Sequence, residues 1–254
     1  MSRIIAIANQ KGGVGKTTTA INLSAALAEA GQRVLAVDFD PQGNLSSGLG
    51  IGKNDFDSGV YDLLMGNAAF DNLVIKTETD KLLLLPSDMN LSGAEIELLD
   101  VPEREKTLKK YLDEVRADFD FIIIDCPPSL SLLTINALTA ADSVIVPIQC
   151  EYYALEGLSQ VMNTIELVRK RLNPALKVTG VVFTMYDGRV KLSQEVVDSV
   201  RNALREHVFE TIIPRSVRLA EAPSHGMPIV SYDPSSRGAD AYRQFAAEVI
   251  SREG

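Results

Sequence analysis

Residues 11–18 read KGGVGKTT, and each residue type there suits a bound polyphosphate. Gly12, Gly13 and Gly15 carry no Cβ, so the loop amides can curl around phosphate oxygens without a clash. Lys16 supplies a cation for the β- and γ-phosphates, and the Thr17 hydroxyl supplies a ligand for Mg²⁺. Val14 and Thr18 complete the loop. The common form of this loop opens on a glycine. Here Gln10 stands in that place, and Lys11 opens the loop although no loop geometry demands a lysine there.

Three carboxylates extend the constellation. Asp38 and Asp40 lie at the end of a strand-like run at residues 33–38 (RVLAVD), and Asp125 follows the run FIII in the Walker B form. In open α/β sheets, ligands gather where strands end. Asp125 is therefore read as holding Mg²⁺ through water. Residue type alone leaves a second reading open for Asp38 and Asp40, since DPQGN also suits a turn or a helix cap.

These groups need elements to hold them. A strand-like run at residues 3–8 (RIIAIA) leads into the loop, and an Ala- and Leu-rich stretch at 17–30 leaves it as a helix, stopped by Gly31. Such a helix points its N-terminal dipole at the anion. Further strands are expected at 81–85, 119–125, 143–147, 178–184 and 211–213, with helices at 103–116, 131–141, 155–172, 193–206 and 239–251. The strands are apolar on both faces, as in a parallel sheet covered by helices on each side. The fold expected is α/β, one doubly wound, mostly parallel sheet in a single domain over residues 1–254. Residues 50–75 are the least regular and read as a mobile surface segment.

Composition limits the functions to consider. Hydrophobic residues make up 46% and charged residues 23% of 254 residues, which is globular and not disordered. No apolar run approaches the roughly 18 residues that span a bilayer, and the N-terminus has no signal-peptide layout. Two cysteines, Cys126 and Cys150, fit a reduced compartment, so a cytoplasmic protein is expected. The net charge of −9 argues at first against nucleic acid. Yet residues 51–150 hold 8 basic and 18 acidic groups, whereas residues 151–254 hold 13 of each. The neutral C-terminal part can still present a basic patch, with Arg189, Lys191, Arg215 and Arg218 on loops or helix starts, although the same residues also suit a merely solvated rim. Cys126 reads as a small core residue, and His207 and His225 lack metal-ligand spacing.

The form KGGxGK followed by Ser or Thr is the deviant Walker motif. With it, the chain resembles the ParA/Soj-type partition ATPases within the broader MinD and nitrogenase-iron-protein group. The resemblance spans nearly the whole chain and includes VDFDPQGN (37–44), DCPPSL (125–130), QCEYYALEG (149–157), TMYDGR (184–189) and IPRSVRLAEAPSHG (213–226). It implies a homodimer that sandwiches two ATP molecules, with Lys11 reaching the partner's phosphates. It further implies that Asp40 orients or polarises the attacking water, and that Asp38 supports the Mg²⁺ shell and the first switch segment. The adenine would lie against Met185, Pro214 and Arg215, although a Met and a Pro serve equally as core and turn residues. Non-specific double-stranded DNA would meet Arg189 and Arg218, a ParB/Spo0J-type partner would stimulate hydrolysis, and the protein would sit on the nucleoid.

Three other functions compete. A MinD-like membrane switch needs an amphipathic C-terminal anchor, whereas the tail AYRQFAAEVISREG reads as a helix that docks on the domain. A cluster-carrying ATPase needs two well-placed cysteines per chain, and no CxxC occurs. A plasmid-type repressor carries an N-terminal DNA-reading domain, for which a phosphate loop beginning by residue 11 leaves no room.

Overall fold

The computed structural model describes residues 2–254. Eight strands form one sheet: β1 (Arg3–Ile7), β2 (Val34–Asp38), β3 (Ile75–Lys76), β4 (Leu82–Leu85), β5 (Phe121–Asp125), β6 (Ser143–Gln149), β7 (Lys177–Tyr186) and β8 (Val208–Pro214). Their order is β3-β4-β2-β5-β1-β6-β7-β8. All neighbours pair in parallel except β3 and β4. The helices are α1 (Lys16–Glu29), α2 (Asn44–Gly48), α3 (Val60–Met65), α4 (Leu91–Glu97), α5 (Thr107–Val115), α6 (Leu132–Ala140), α7 (Ala154–Arg171), α8 (Lys191–Leu204), α9 (Val217–Glu221), α10 (Ile229–Tyr232) and α11 (Arg237–Glu253).

The strands alternate their side chains between two cores, as a pleated backbone requires. Ile4 and Ala6 of β1 join one core with Leu63, Leu112, Leu133 and Ile165, so α3, α5, α6 and α7 cover that face. Ile5 and Ile7 join the other with Leu23, Tyr242 and Phe245, which places α1 and α11 opposite. Burying each Leu, Ile or Phe among them contributes about 1.5–3 kcal/mol. The doubly wound arrangement read from the sequence is the one observed.

Two expectations change. Residues 50–75 are not a loose surface segment. Val60, Leu63, Leu64 and Leu73 are buried there, and the amide of Val60 donates to the Pro86 carbonyl at 2.8 Å. The apolar residues of VYDLLM recur at helical spacing over a stretch too short to stand out. The sheet also gains β3, an antiparallel edge of two residues. The other edge is closed by side chains. The Glu248 carboxylate of α11 accepts the Glu210 and Thr211 amides of β8 at 2.9 and 3.1 Å, while Arg252 donates to the Val208 carbonyl at 2.8 Å.

The ends of β1, β2 and β5 meet at one edge of the sheet. Ile7 pairs with Asp125, and Asp125 in turn pairs with Asp38. Two aspartates thus share one rung beside the loop that leaves β1.

Candidate functional site

The loop leaving β1 is held from several sides. Gly13 and Gly15 have φ of 76° and 84°, a region that side chains disfavour. A Cβ on Gly12 or Gly13 would meet nothing within 4 Å, so their inner faces lie open. No side chain caps the start of α1, which leaves its first amides pointing at that space. Asn9 ties the loop to the sheet: its amide group donates to the Pro147 carbonyl at 2.7 Å, and its oxygen accepts the Lys11 amide at 3.0 Å. Thr184 of β7 donates to the Val14 carbonyl at 2.8 Å. Gln10, which replaces the usual glycine, reaches out to Thr164 of α7 at 2.7 Å.

The charges behind the loop are buried and poorly matched. Lys16 is 7% exposed, and among the described residues its Nζ donates only to the Lys11 carbonyl, at 3.2 Å. Burial lowers its pKa, and the charges of Asp125 and Asp40 offset this only in part. Asp125 is fully buried. The Thr17 hydroxyl lies near enough to favour its carboxylate, but neither oxygen makes a hydrogen bond of good geometry. Burial, reinforced by the charge of Asp38, raises the Asp125 pKa well above the carboxylate range. An orphaned carboxylate beside a threonine hydroxyl offers the oxygen ligands that a hydrated divalent cation takes, and leaves the lysine for phosphate.

Asp38 is also fully buried but is partnered. Its Oδ2 accepts the amide and hydroxyl of Ser46 at 2.8 and 2.7 Å, and its Oδ1 accepts the Asp40 amide at 3.3 Å. Burial nevertheless pushes its pKa up to about 7. Asp38 thus anchors α2 and the segment after β2. Asp40 is 8% exposed and turns that segment by accepting the Gln42 amide at 3.0 Å. Among the described residues, no group of three or more His, Cys, Asp or Glu is gathered to hold a metal by itself. A cation here would share its shell with phosphate.

A cavity of about 220 Å³ opens beside the loop, lined by Gly15, Thr18, Met185, Pro214, Arg215 and Tyr242. Met185 has φ of 52°, an uncommon backbone for its type, and its sulfur receives the Gln149 amide at 3.1 Å. The three residues expected around a purine are therefore together, and Tyr242 joins them. Tyr186 pairs with Pro214 across β7 and β8, so the loops after these strands flank the same cavity.

Lys11 points outward. Its ammonium forms an ion pair with Glu151 at 2.6 Å, both groups being exposed. The exposed Leu130 and Tyr153 line the same surface hollow as Lys11, and Tyr152 packs edge to face on Tyr153, an apolar rim on the loop side of the molecule. Arg189 lies in the loop after β7 and Arg218 in α9 after β8. Each is already paired, Arg189 with Asp187 at 2.7 Å and Arg218 with Glu221 at 3.0 Å. Cys126 and Cys150 are buried and unbridged. The apolar face of α11, with Tyr242, Phe245 and Val249, lies in the core. Among the described residues no helix is long and apolar enough to cross a membrane.

Comparison with known proteins places this geometry. A family profile described as an AAA domain matches residues 2–178. The chain is 56% identical over 249 residues to the sporulation initiation inhibitor protein Soj of Bacillus subtilis, covering 98% of each. It is 54% identical over 253 residues to the chromosome partitioning protein ParA of Caulobacter vibrioides, covering 99% of this chain and 95% of that one. Its fold matches cobyrinic acid a,c-diamide synthase from Mycobacterium smegmatis with bound ADP and magnesium. The TM-score there is 0.87 at 42% identity, over 98% of this chain and 94% of that one. It also matches the septum site-determining protein MinD from Pyrococcus horikoshii complexed with Mg-ADP. That TM-score is 0.81 at 30% identity, over 100% and 98% of the two chains.

Proposed function

The chain belongs to the ParA/Soj-type chromosome-partitioning ATPases, and on that premise we propose that it is a nucleotide-driven positional switch. It is an ATPase, a hydrolase that uses ATP with Mg²⁺. In the scheme proposed, two copies close over two ATP molecules and bind double-stranded DNA without regard to sequence. They let go after hydrolysis stimulated by a ParB-type partner, and so occupy the nucleoid in the cytoplasm. The observation that carries the nucleotide part is the unpartnered Asp125 carboxylate, in register with Asp38 and within electrostatic reach of Lys16.

Each group then has a task. The open amides of the loop and of α1 bind phosphate oxygens, and Lys16 neutralises them from beneath. Thr17 and Asp125 would hold the magnesium, which when bound offsets charge on the β- and γ-phosphates. Asp38 fixes the neighbouring segment through Ser46. Asp40 orients the attacking water, since phosphoryl transfer asks for positioning more than covalent help. Met185, Pro214 and Arg215 enclose the adenine. Lys11 leaves Glu151 for the phosphates of the partner copy, where closure of the dimer strips water from the contact and strengthens it. Arg189 stands on the loop after β7 and Arg218 on α9 after β8, both beside the adenine cavity, which links nucleotide occupancy to the DNA face. The buried apolar face of α11 argues against a membrane anchor there.

Size-exclusion chromatography of Asp40→Ala with ATP and Mg²⁺, then with a random duplex, tests the scheme. ATP should convert this hydrolysis-blocked chain to a dimer that co-elutes with DNA. A chain that binds ATP and stays monomeric would overturn it.

A further inference from the structure

The two arginines assigned to DNA are not bare cations. Arg189 is 89% exposed, yet its Nε and Nη2 both reach the Asp187 carboxylate, at 2.9 and 2.7 Å. Asp187 itself is only 19% exposed and is fixed by the turn it makes. Its Oδ1 accepts the Arg189 amide at 3.1 Å, and its carbonyl accepts the Val190 amide at 3.0 Å. The backbone therefore presents the carboxylate, and the arginine folds back onto it. On α9, Arg218 meets Glu221 at 3.0 Å and Asp233 at 3.5 Å. Glu221 is held in addition by the Tyr232 hydroxyl at 3.4 Å. Both segments thus carry their own counter-charge.

We propose that Asp187, together with Glu221 and Asp233, acts as a built-in competitor for DNA phosphate. These carboxylates hold the affinity of a single copy low, so that useful binding requires the summed contacts of two. The proposal rests on the reading that Arg189 and Arg218 face DNA. A phosphate arriving at a paired arginine must displace a carboxylate or tolerate it nearby. The contact then releases fewer counterions than a bare cation would. An exposed ion pair is weak enough to be displaced, so the carboxylates tune binding without abolishing it. Asp187 keeps its charge throughout the physiological range, because the hydrogen bonds from Arg189 hold its pKa down at about 2.

Asp187→Asn separates charge from shape, since an amide oxygen can still accept the Arg189 N–H and keep the turn. Fluorescence anisotropy on a random-sequence duplex, with ATP and Mg²⁺ present and salt varied between about 50 and 200 mM, reads the result. The variant should bind on the order of tenfold tighter at low salt, with a log–log salt slope steeper by about one per chain. Glu221→Gln should tighten binding by about threefold, because Asp233 remains. It tests the other pair independently, so a folding defect at one position leaves the second decisive. If Arg189→Glu abolishes binding while both carboxylate variants bind like the parent or more weakly, the DNA face stands and the competitor role falls. If Arg189→Glu and Arg218→Glu both bind DNA as the parent does, the face itself is misassigned and the proposal falls with it.

Discussion

Lys16 and Lys11 lie five residues apart in one loop, and their surroundings are opposites. Lys16 is buried, with a lowered pKa and, among the described residues, no ion pair. Lys11 is exposed and holds Glu151 at 2.6 Å. The contrast extends to their neighbours. Behind the loop, Asp125 is sealed from water with no good hydrogen bond. On the rim, Arg189 and Arg218 are open to water and fully paired. Buried charges left without partners are expensive. Such an arrangement is kept where a ligand completes it. Exposed pairs are cheap to break, which suits groups that exchange a partner in their own chain for one on another molecule. The interior is built to be completed, and the rim to be traded.

Three experiments press on this difference. The largest effect should come from Lys16→Ala, which removes the cation meant for phosphate. ATP hydrolysis should fall by about a thousandfold or more, and calorimetry should register a matching loss of nucleotide affinity. A variant that still hydrolyses ATP would deny the interior its role.

The next concerns pH. The carboxyl of Asp38, with a pKa of about 7 against an ordinary 3.8, stays protonated in the folded chain after it has ionised in the unfolded one. Between about pH 4 and pH 7 the folded state therefore binds more protons, and stability falls as pH rises. At about 1.4 kcal/mol for each unit of pKa difference, the loss amounts to a few kcal/mol. Thermal melts of nucleotide-free protein should show this decline, and ATP with Mg²⁺ should flatten it. A melting point that rises across the same range would contradict the reading that burial outweighs the hydrogen bonds Asp38 receives. The smallest effect belongs to Glu151→Gln, which frees Lys11. Half-maximal dimerisation, followed by light scattering, should need two- to fivefold less ATP. A requirement for more ATP would show that Glu151 aims Lys11 and does not restrain it.

What could be read from the chain was what lay close together in it. The phosphate loop announced itself because strand, glycines, lysine and helix are contiguous. Asp38 and Asp125 were legible as the ends of apolar runs, and the sheet then set them on one rung. The groups that hold the loop were not legible. Thr184 lies 170 residues from the Val14 carbonyl it binds, and Glu151 lies 140 from Lys11. Only the fold brings such pairs together. β3 is two residues within a charged stretch and carries no periodic signal. The pair of Asp187 with Arg189 could have been seen, since the residues are two apart. A charge balance over a hundred residues does not resolve which acid sits beside which base.

The treatment of the outermost strand has a consequence of its own. Sheet edges are templates: free amides and carbonyls recruit further strands, and proteins held at high local density are the most exposed to it. Here one end of the sheet stops at the two residues of β3, too short to seed a new ladder. At the other, Glu248 and Arg252 occupy backbone groups of β8 that a neighbouring chain would seek. Crowding many copies together thus offers them little open edge to share. Growth into a continuous fibre is discouraged at both ends, and association is left to the faces where the loops are.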